Sequence, residues 1–271
     1  MIEQRLGFAA VIFFFLTFIH SSEVAAATPV TIYADNSYPP YAYQEGGEVK
    51  GLYTLILERA FSRMPDYQID IQAVPWKRGL KLLESGRGFA LYPPYLHLQE
   101  RPYIWPYSLP IIDERVVLYC RQQVMNDSER RRWPEDYFGL TIGINAGFQL
   151  GGELFWQAVQ QQKITTLEAT SNRASLMILG VGRSDCYMND QLSIQLELNR
   201  LKDEGVYLEG SKHASLVEGA TITQEQGFLG YTDRDEGRYP FKTDFHKQLD
   251  AQLYQMRRSG ELQQIIDGYR Y

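Results

Sequence analysis

From residue 28 to the C-terminus, strand-like and helix-like stretches take turns, and this alternation restricts the chain to an α/β architecture more tightly than any other feature. The apolar run at 30–34 reads as a strand. The turn Tyr38-Pro39-Pro40-Tyr41 and the pair Gly46-Gly47 follow, and then Leu52, Leu55, Ile56 and Ala60 recur at helical spacing. Residues 69–74 read as a second strand, 77–84 as a helix stopped at Gly86, and 89–92 as a third strand ended by Pro93-Pro94. After a strand at 116–121 a second series opens, with strands at 140–144, 164–167 and 186–188 and helices at 151–161 and 174–179. The chain closes on an amphipathic helical stretch. Phe245, Leu249, Leu253 and Met256 share one face, and Leu262, Ile265 and Ile266 share another after a break at Gly260.

Hydrophobic and charged fractions of 44% and 22% are globular values, so neither a disordered nor a fibrous chain is expected. With 27 basic side chains against 33 acidic ones, the chain is poorly suited to track phosphates, and no nucleic-acid partner is expected. The one long apolar run, residues 6–19, follows Arg5 and leads to Ala25-Ala26-Ala27. It is short for a span of roughly 20 residues, and Ala25 and Ala27 suit the positions flanking a signal-peptidase cut. Residues 1–27 are therefore expected to be a signal peptide cleaved before Thr28, which places the protein in the periplasm. No second apolar span follows, so a polytopic membrane protein is excluded. The first cysteine is Cys120, far from the cut, so no lipid anchor is expected. Export would put Cys120 and Cys186 in an oxidising compartment where they can pair; two buried free thiols fit the sequence equally well.

Several segments together carry a resemblance. They are Ala34-Asp35-Asn36-Ser37-Tyr38-Pro39-Pro40-Tyr41 after the first strand, Pro75-Trp76-Lys77-Arg78 with Leu82-Leu83-Glu84-Ser85-Gly86, and Glu100-Arg101 with Tyr107-Ser108-Leu109-Pro110. Thr141-Ile142-Gly143-Ile144, Gly182-Arg183-Ser184-Asp185 followed by Asp190, and the closing run from Arg258 to Ile266 complete the set. In this order and spacing, over the whole chain after residue 27, the sequence resembles the bacterial extracellular solute-binding proteins of family 3, which serve polar amino-acid uptake by ABC transporters.

The resemblance implies a type II periplasmic-binding-protein fold, two α/β lobes joined by two crossing strands with a ligand cleft between them. Crossings are expected near 110–114 and 216–221, giving lobe one from 28–114 plus 219–271 and lobe two from 115–218. It also implies capture of a small amino-acid-like ligand by hinge closure and delivery to a membrane permease, by a monomer without cofactor, metal or catalytic residues.

Amino-acid recognition calls for a cationic fork, an anion and apolar walls. Arg101 matches the family's carboxylate clamp, and its planar donors suit that role better than a lysine. Asp190, five residues after Asp185, matches the carboxylate that meets the ligand ammonium; the same residue is placed to cap the helix starting near Gln191. Tyr38 and Tyr41 match an aromatic loop that stacks on ligands, and Trp76 lies where cleft aromatics occur. The amides of the Gly147 turn are candidate donors to a carboxylate. Three departures stand out: Leu98 where relatives have Thr before the arginine, Phe148 and Gln149 where a Ser or Thr follows the turn, and Leu52 after Gly51 where an acid is frequent. Together with the many aromatics they point away from a plain α-amino acid, toward a larger or more aromatic ligand.

Phosphate loops, dinucleotide-binding glycines, nucleophile elbows and zinc-binding helices are absent from the sequence. His97, His213 and His246 are far apart and are expected to face solvent or to be hydrogen-bonded in place. The basic cluster Arg130-Arg131-Arg132 reads as a solvated loop, with a docking patch as its alternative. Two other functions fit the same fold: a secreted dehydratase-like enzyme, for which Glu100, His97 and Asp190 would supply acid and base, and a ligand-binding partner of a membrane sensor.

Overall fold

Val30, Ile32 and Ala34 turn inward between less buried neighbours along β1 (Thr28–Asp35), the first strand of the computed structural model, which describes residues 26–270. Apart from Ala26 and Ala27, the expected signal peptide lies outside the described residues. A short meander follows, β2 (Ser37–Tyr38), β3 (Ala42–Glu45) and β4 (Glu48–Lys50), and leads into α1 (Leu52–Phe61). Next come β5 (Tyr67–Val74), α2 (Trp76–Glu84), β6 (Ala90–Tyr92) and β7 (Ile104–Tyr107). The long strand β8 (Ile112–Arg121) opens the second unit, which continues through α3 (Gln122–Asp127), β9 (Thr141–Asn145), α4 (Gly152–Gln160) and β10 (Thr165–Ala169). It ends with α5 (Asn172–Gly180), β11 (Cys186–Asp190), α6 (Gln191–Asp203) and β12 (Leu216–Gly227). The chain then returns to the first sheet through β13 (Gly230–Thr232) and finishes with α7 (Lys242–Ser259) and α8 (Glu261–Gly268), separated by Gly260 in the left-handed region.

Two five-stranded sheets result, ordered β5-β1-β6-β13-β7 and β10-β9-β11-β8-β12. In the first, β1 pairs in parallel with β5 on one side and β6 on the other; in the second, β9 does the same with β10 and β11. Connections therefore leave each of these strands to opposite sides, and in such sheets ligand groups gather beyond the carboxyl ends of the strands at the reversal. Those ends carry Asp35 as the last residue of β1, Trp76 after β5, Pro93 after β6, and Asn145 and Asp190 as the last residues of β9 and β11. Between the sheets, β8 and β12 run side by side in an antiparallel ladder from Arg121 opposite Leu216 to Ile112 opposite Gly227, with register shifts between Glu218 and Thr223.

Each lobe has its own core. Ile32, Leu52, Tyr53, Ile56 and Leu57 pack with Phe89 and with Phe245, Leu249, Leu253 and Met256 of α7, so the face expected for that helix is the one it buries. The second sheet is covered on both faces, by Phe155 and Tyr137 with Ile142 and Met188 on one, and by Leu176, Ile194, Leu198 and Tyr207 on the other. Cys120 and Cys186 face one another across β8 and β11 and are joined by a disulfide, which resolves the two alternatives the sequence left open.

Candidate functional site

The strand ends of the two lobes meet around a small cavity walled by Asp35, Tyr38, Trp76, Arg101, Phe148 and Gln149, with Pro93, Tyr95, His97 and Leu150 completing it. Arg101 reaches it from the turn after His97, held by its amide bonding to the His97 carbonyl at 2.9 Å. Its side chain is only 4% exposed. One guanidinium nitrogen, Nη2, donates to the Gly147 carbonyl at 3.0 Å, and the group lies 5.5 Å from the centre of the Trp76 ring. Among the described residues no carboxylate lies within ion-pair distance of it. Trp76 is placed by Pro75 at the start of α2, and its buried Nε1 has no hydrogen-bond partner among the described residues. A guanidinium and an indole N–H, both desolvated and both short of acceptors, are what an incoming anion would satisfy.

Burial shapes the charge of the wall. Asp35, 4% exposed, accepts from the Ser37 amide at 2.9 Å, and burial pushes its pKa up to about 7. Burial, assisted by the nearby Arg101 charge, pushes His97 down to about 4, so at neutral pH it is uncharged. His97 lines the cavity and stays half-buried. Behind the wall, Glu114 of β8 is caged by the hydroxyls of Tyr53 at 2.5 Å, Tyr95 at 2.6 Å and Tyr38. Burial, with the Asp190 charge adding to it, pushes Glu114 up to about 8 against the pull of those three donors.

Of the six residues singled out from the sequence, Tyr38, Trp76 and Arg101 form the cavity wall. Gly147 stands one step back; its φ of +84° fits a glycine, and it offers Arg101 a carbonyl acceptor where an amide donor was expected. Tyr41 and Asp190 lie beside the wall and engage each other: the Tyr41 hydroxyl donates to Asp190 Oδ1 at 3.0 Å. Asp190 also caps α6 through the Ser193 amide at 2.8 Å and accepts from the Arg115 amide at 3.1 Å, so the capping expectation is met. Asp35 and Tyr95 line the cavity, and Glu114 stands behind it, without having been anticipated as site residues. Asp35 carries one legible signal, its place at the end of a strand at the sheet reversal.

Contacts between the lobes surround the cavity. Lys77 pairs with Glu168 at 2.5 Å, the Ser193 hydroxyl and the Asn172 amide both donate to the Pro39 carbonyl, and Phe148 sets its ring edge-on to Tyr38 at 5.4 Å. The aromatic side chains fill the cleft themselves and leave about 20 Å³, room for about one water. Elsewhere, the basic cluster is engaged locally, Arg132 with Asp136 at 3.0 Å and Arg130 over the Tyr137 ring.

Comparison with known proteins adds the following. The model of "Bacterial extracellular solute-binding proteins, family 3" matches residues 30–270. No curated protein sequence matches significantly. Among solved structures, a histidine kinase sensor domain similar to periplasmic binding proteins is 15% identical with a TM-score of 0.70, over 90% of this chain and 96% of that one. A structure described for glutathione import via GshT and the cystine importer of Streptococcus mutans has the same identity and TM-score, 15% and 0.70, over 90% and 95%. A mutant of ArgBP from T. maritima is 17% identical with a TM-score of 0.67, over 89% and 94%. These likenesses establish the two-lobed fold. No helix among the described residues is long and apolar enough to cross a membrane.

Proposed function

The chain belongs to the bacterial extracellular solute-binding proteins of family 3, and on that premise we propose that it captures a small amino-acid-like carboxylate at Arg101 and delivers it to an ABC permease. One observation carries this reading: Arg101 is a buried guanidinium at the junction of the lobes, stacked on Trp76, with the Gly147 backbone carbonyl as an acceptor and, among the described residues, no carboxylate paired to it. Leaving a cation so desolvated is costly, and a ligand carboxylate offsets that cost. Asp35, Tyr38 and Trp76 then form the surrounding wall. Lobe one comprises 28–114 and 219–271 and lobe two 115–218; β8 and β12 form the hinge, and closure brings Tyr41 to Asp190 and Lys77 to Glu168. The protein is a non-enzymatic periplasmic monomer, exported by a signal peptide.

The test is calorimetry on ligand-stripped protein against small carboxylates and amino acids. Arg101→Ala should lower affinity by about 2 to 5 kcal/mol with folding retained. Equal affinity in wild type and variant would overturn the clamp. The likeness to a sensor domain supports a second reading, in which the loaded form is read by a membrane receptor; co-purification with a permease or with a receptor separates the two.

A further inference from the structure

Phe148 stands where the family resemblance leads one to expect a hydroxyl, and its ring is the one cavity-wall group that packs on all three surrounding apolar clusters, those of lobe one, lobe two and α2. Its centroid lies 5.4 Å from Tyr38, edge-on at 89°, and 6.0 Å from Trp76 at 74°. Trp76 is the same ring that carries the Arg101 guanidinium at 5.5 Å, so Phe148 and Arg101 share one aromatic wall. The turn that delivers Phe148 is fixed: its amide bonds to the Asn145 carbonyl at 2.9 Å, and Gly147 is wedged so that a Cβ there would come within 2.9 Å of Lys77 Cγ. With the ring in place about 20 Å³ remains, room for about one water, so a carboxylate reaches Arg101 only when the lobes part slightly, and any side chain behind it competes with the Phe148 ring.

Building on the Arg101 reading, we propose that Phe148 is the specificity-determining residue of the cleft, its ring occupying the position that a ligand's apolar group would take. The ligand is accordingly a short carboxylate with little apolar bulk, and the aromatic richness of the cleft narrows the site instead of announcing an aromatic solute. Truncating Phe148 leaves a ring-sized space next to a guanidinium, a pairing that an aryl carboxylate matches in both size and charge.

Benzoate is the probe, with benzyl alcohol as its uncharged control, measured by calorimetry on wild type, Phe148→Ala, Arg101→Ala and the double variant. Benzoate should bind Phe148→Ala at least tenfold more tightly than wild type and more tightly than benzyl alcohol does. The double variant should lose that gain. Equal benzoate affinity in wild type and Phe148→Ala, or a gain that survives without Arg101, would overturn the assignment. If Phe148→Ala does not fold, Phe148→Leu replaces it, and the gain is then expected for propionate over acetate; an unchanged ratio overturns the proposal. Acetate binding to wild type that Arg101→Ala leaves intact would remove the Arg101 reading, an outcome distinct from failure of Phe148 alone.

Discussion

Replacing Glu114 by Gln removes the ionisable group from its cage of three tyrosine hydroxyls, and the effect on stability follows from its surroundings. Burial raises the carboxyl from its ordinary 4.5 to about 8. Between those values the unfolded chain releases a proton that the folded chain keeps, so wild-type stability falls as pH rises, by about 1.36 kcal/mol per pH unit. Over the interval from 4.5 to about 8 this comes to about 5 kcal/mol, and above pH 8 the dependence ends. Below pH 4.5 both states are protonated and the stability is fully present. Gln is a neutral isostere of the protonated acid and has no proton to lose, and the tyrosine hydroxyls can turn to accept from its amide. The two proteins should therefore be similarly stable at about pH 5, and by about pH 8 the variant should lead by about 4 kcal/mol. Urea unfolding followed by tryptophan fluorescence, at fixed ionic strength and stepped pH, reads this difference. Asp35 titrates in both proteins and cancels, and the coupling between Asp190 and Glu114 is part of the difference that is read. A difference between wild type and variant that stays constant across pH would refute the reasoning.

Two further outcomes are expected. Replacing both Cys120 and Cys186 by Ala opens a covalent loop with a sequence separation of 66, which should cost about 4 kcal/mol by chain entropy; a loss under about 1 kcal/mol in chemical unfolding would contradict it. Gly227→Ala would drive a Cβ into the buried Tyr53 hydroxyl oxygen and should destabilise by about 1 to 3 kcal/mol. Adding Tyr53→Phe should recover part of that loss, and strictly additive effects in the double variant would show that the clash is not its source.

Features with a local cause were legible in the sequence. The α7 face of Phe245, Leu249, Leu253 and Met256 repeats at helical spacing, and Asp190 sits three residues from the Ser193 amide it caps. Short pieces escaped, because β2 with two residues and β13 with three carry no periodicity to read. Long-range partnerships escaped for a different reason. Glu114 takes its tyrosine hydroxyls from 19, 61 and 76 residues away, and only the folded sheet order brings them to one carboxylate. Arg101 lay in a recognisable motif, yet its contact with the Gly147 carbonyl spans 46 residues and could not be read from spacing. Phe148 registered as a departure from relatives; its meaning as a space-filling ring required the positions of Tyr38 and Trp76.

The sheet order also imposes a schedule on assembly. In the first sheet β13 lies between β6 and β7, so that sheet stays split until residue 232 is available, and its core lacks a wall until α7 arrives. The second sheet is drawn from one uninterrupted stretch, β8 to β12, which contains both cysteines. For a chain that emerges from its N-terminus onward, the lobe that starts first finishes last. Its early strands wait, half paired, while the covalently closed lobe completes itself.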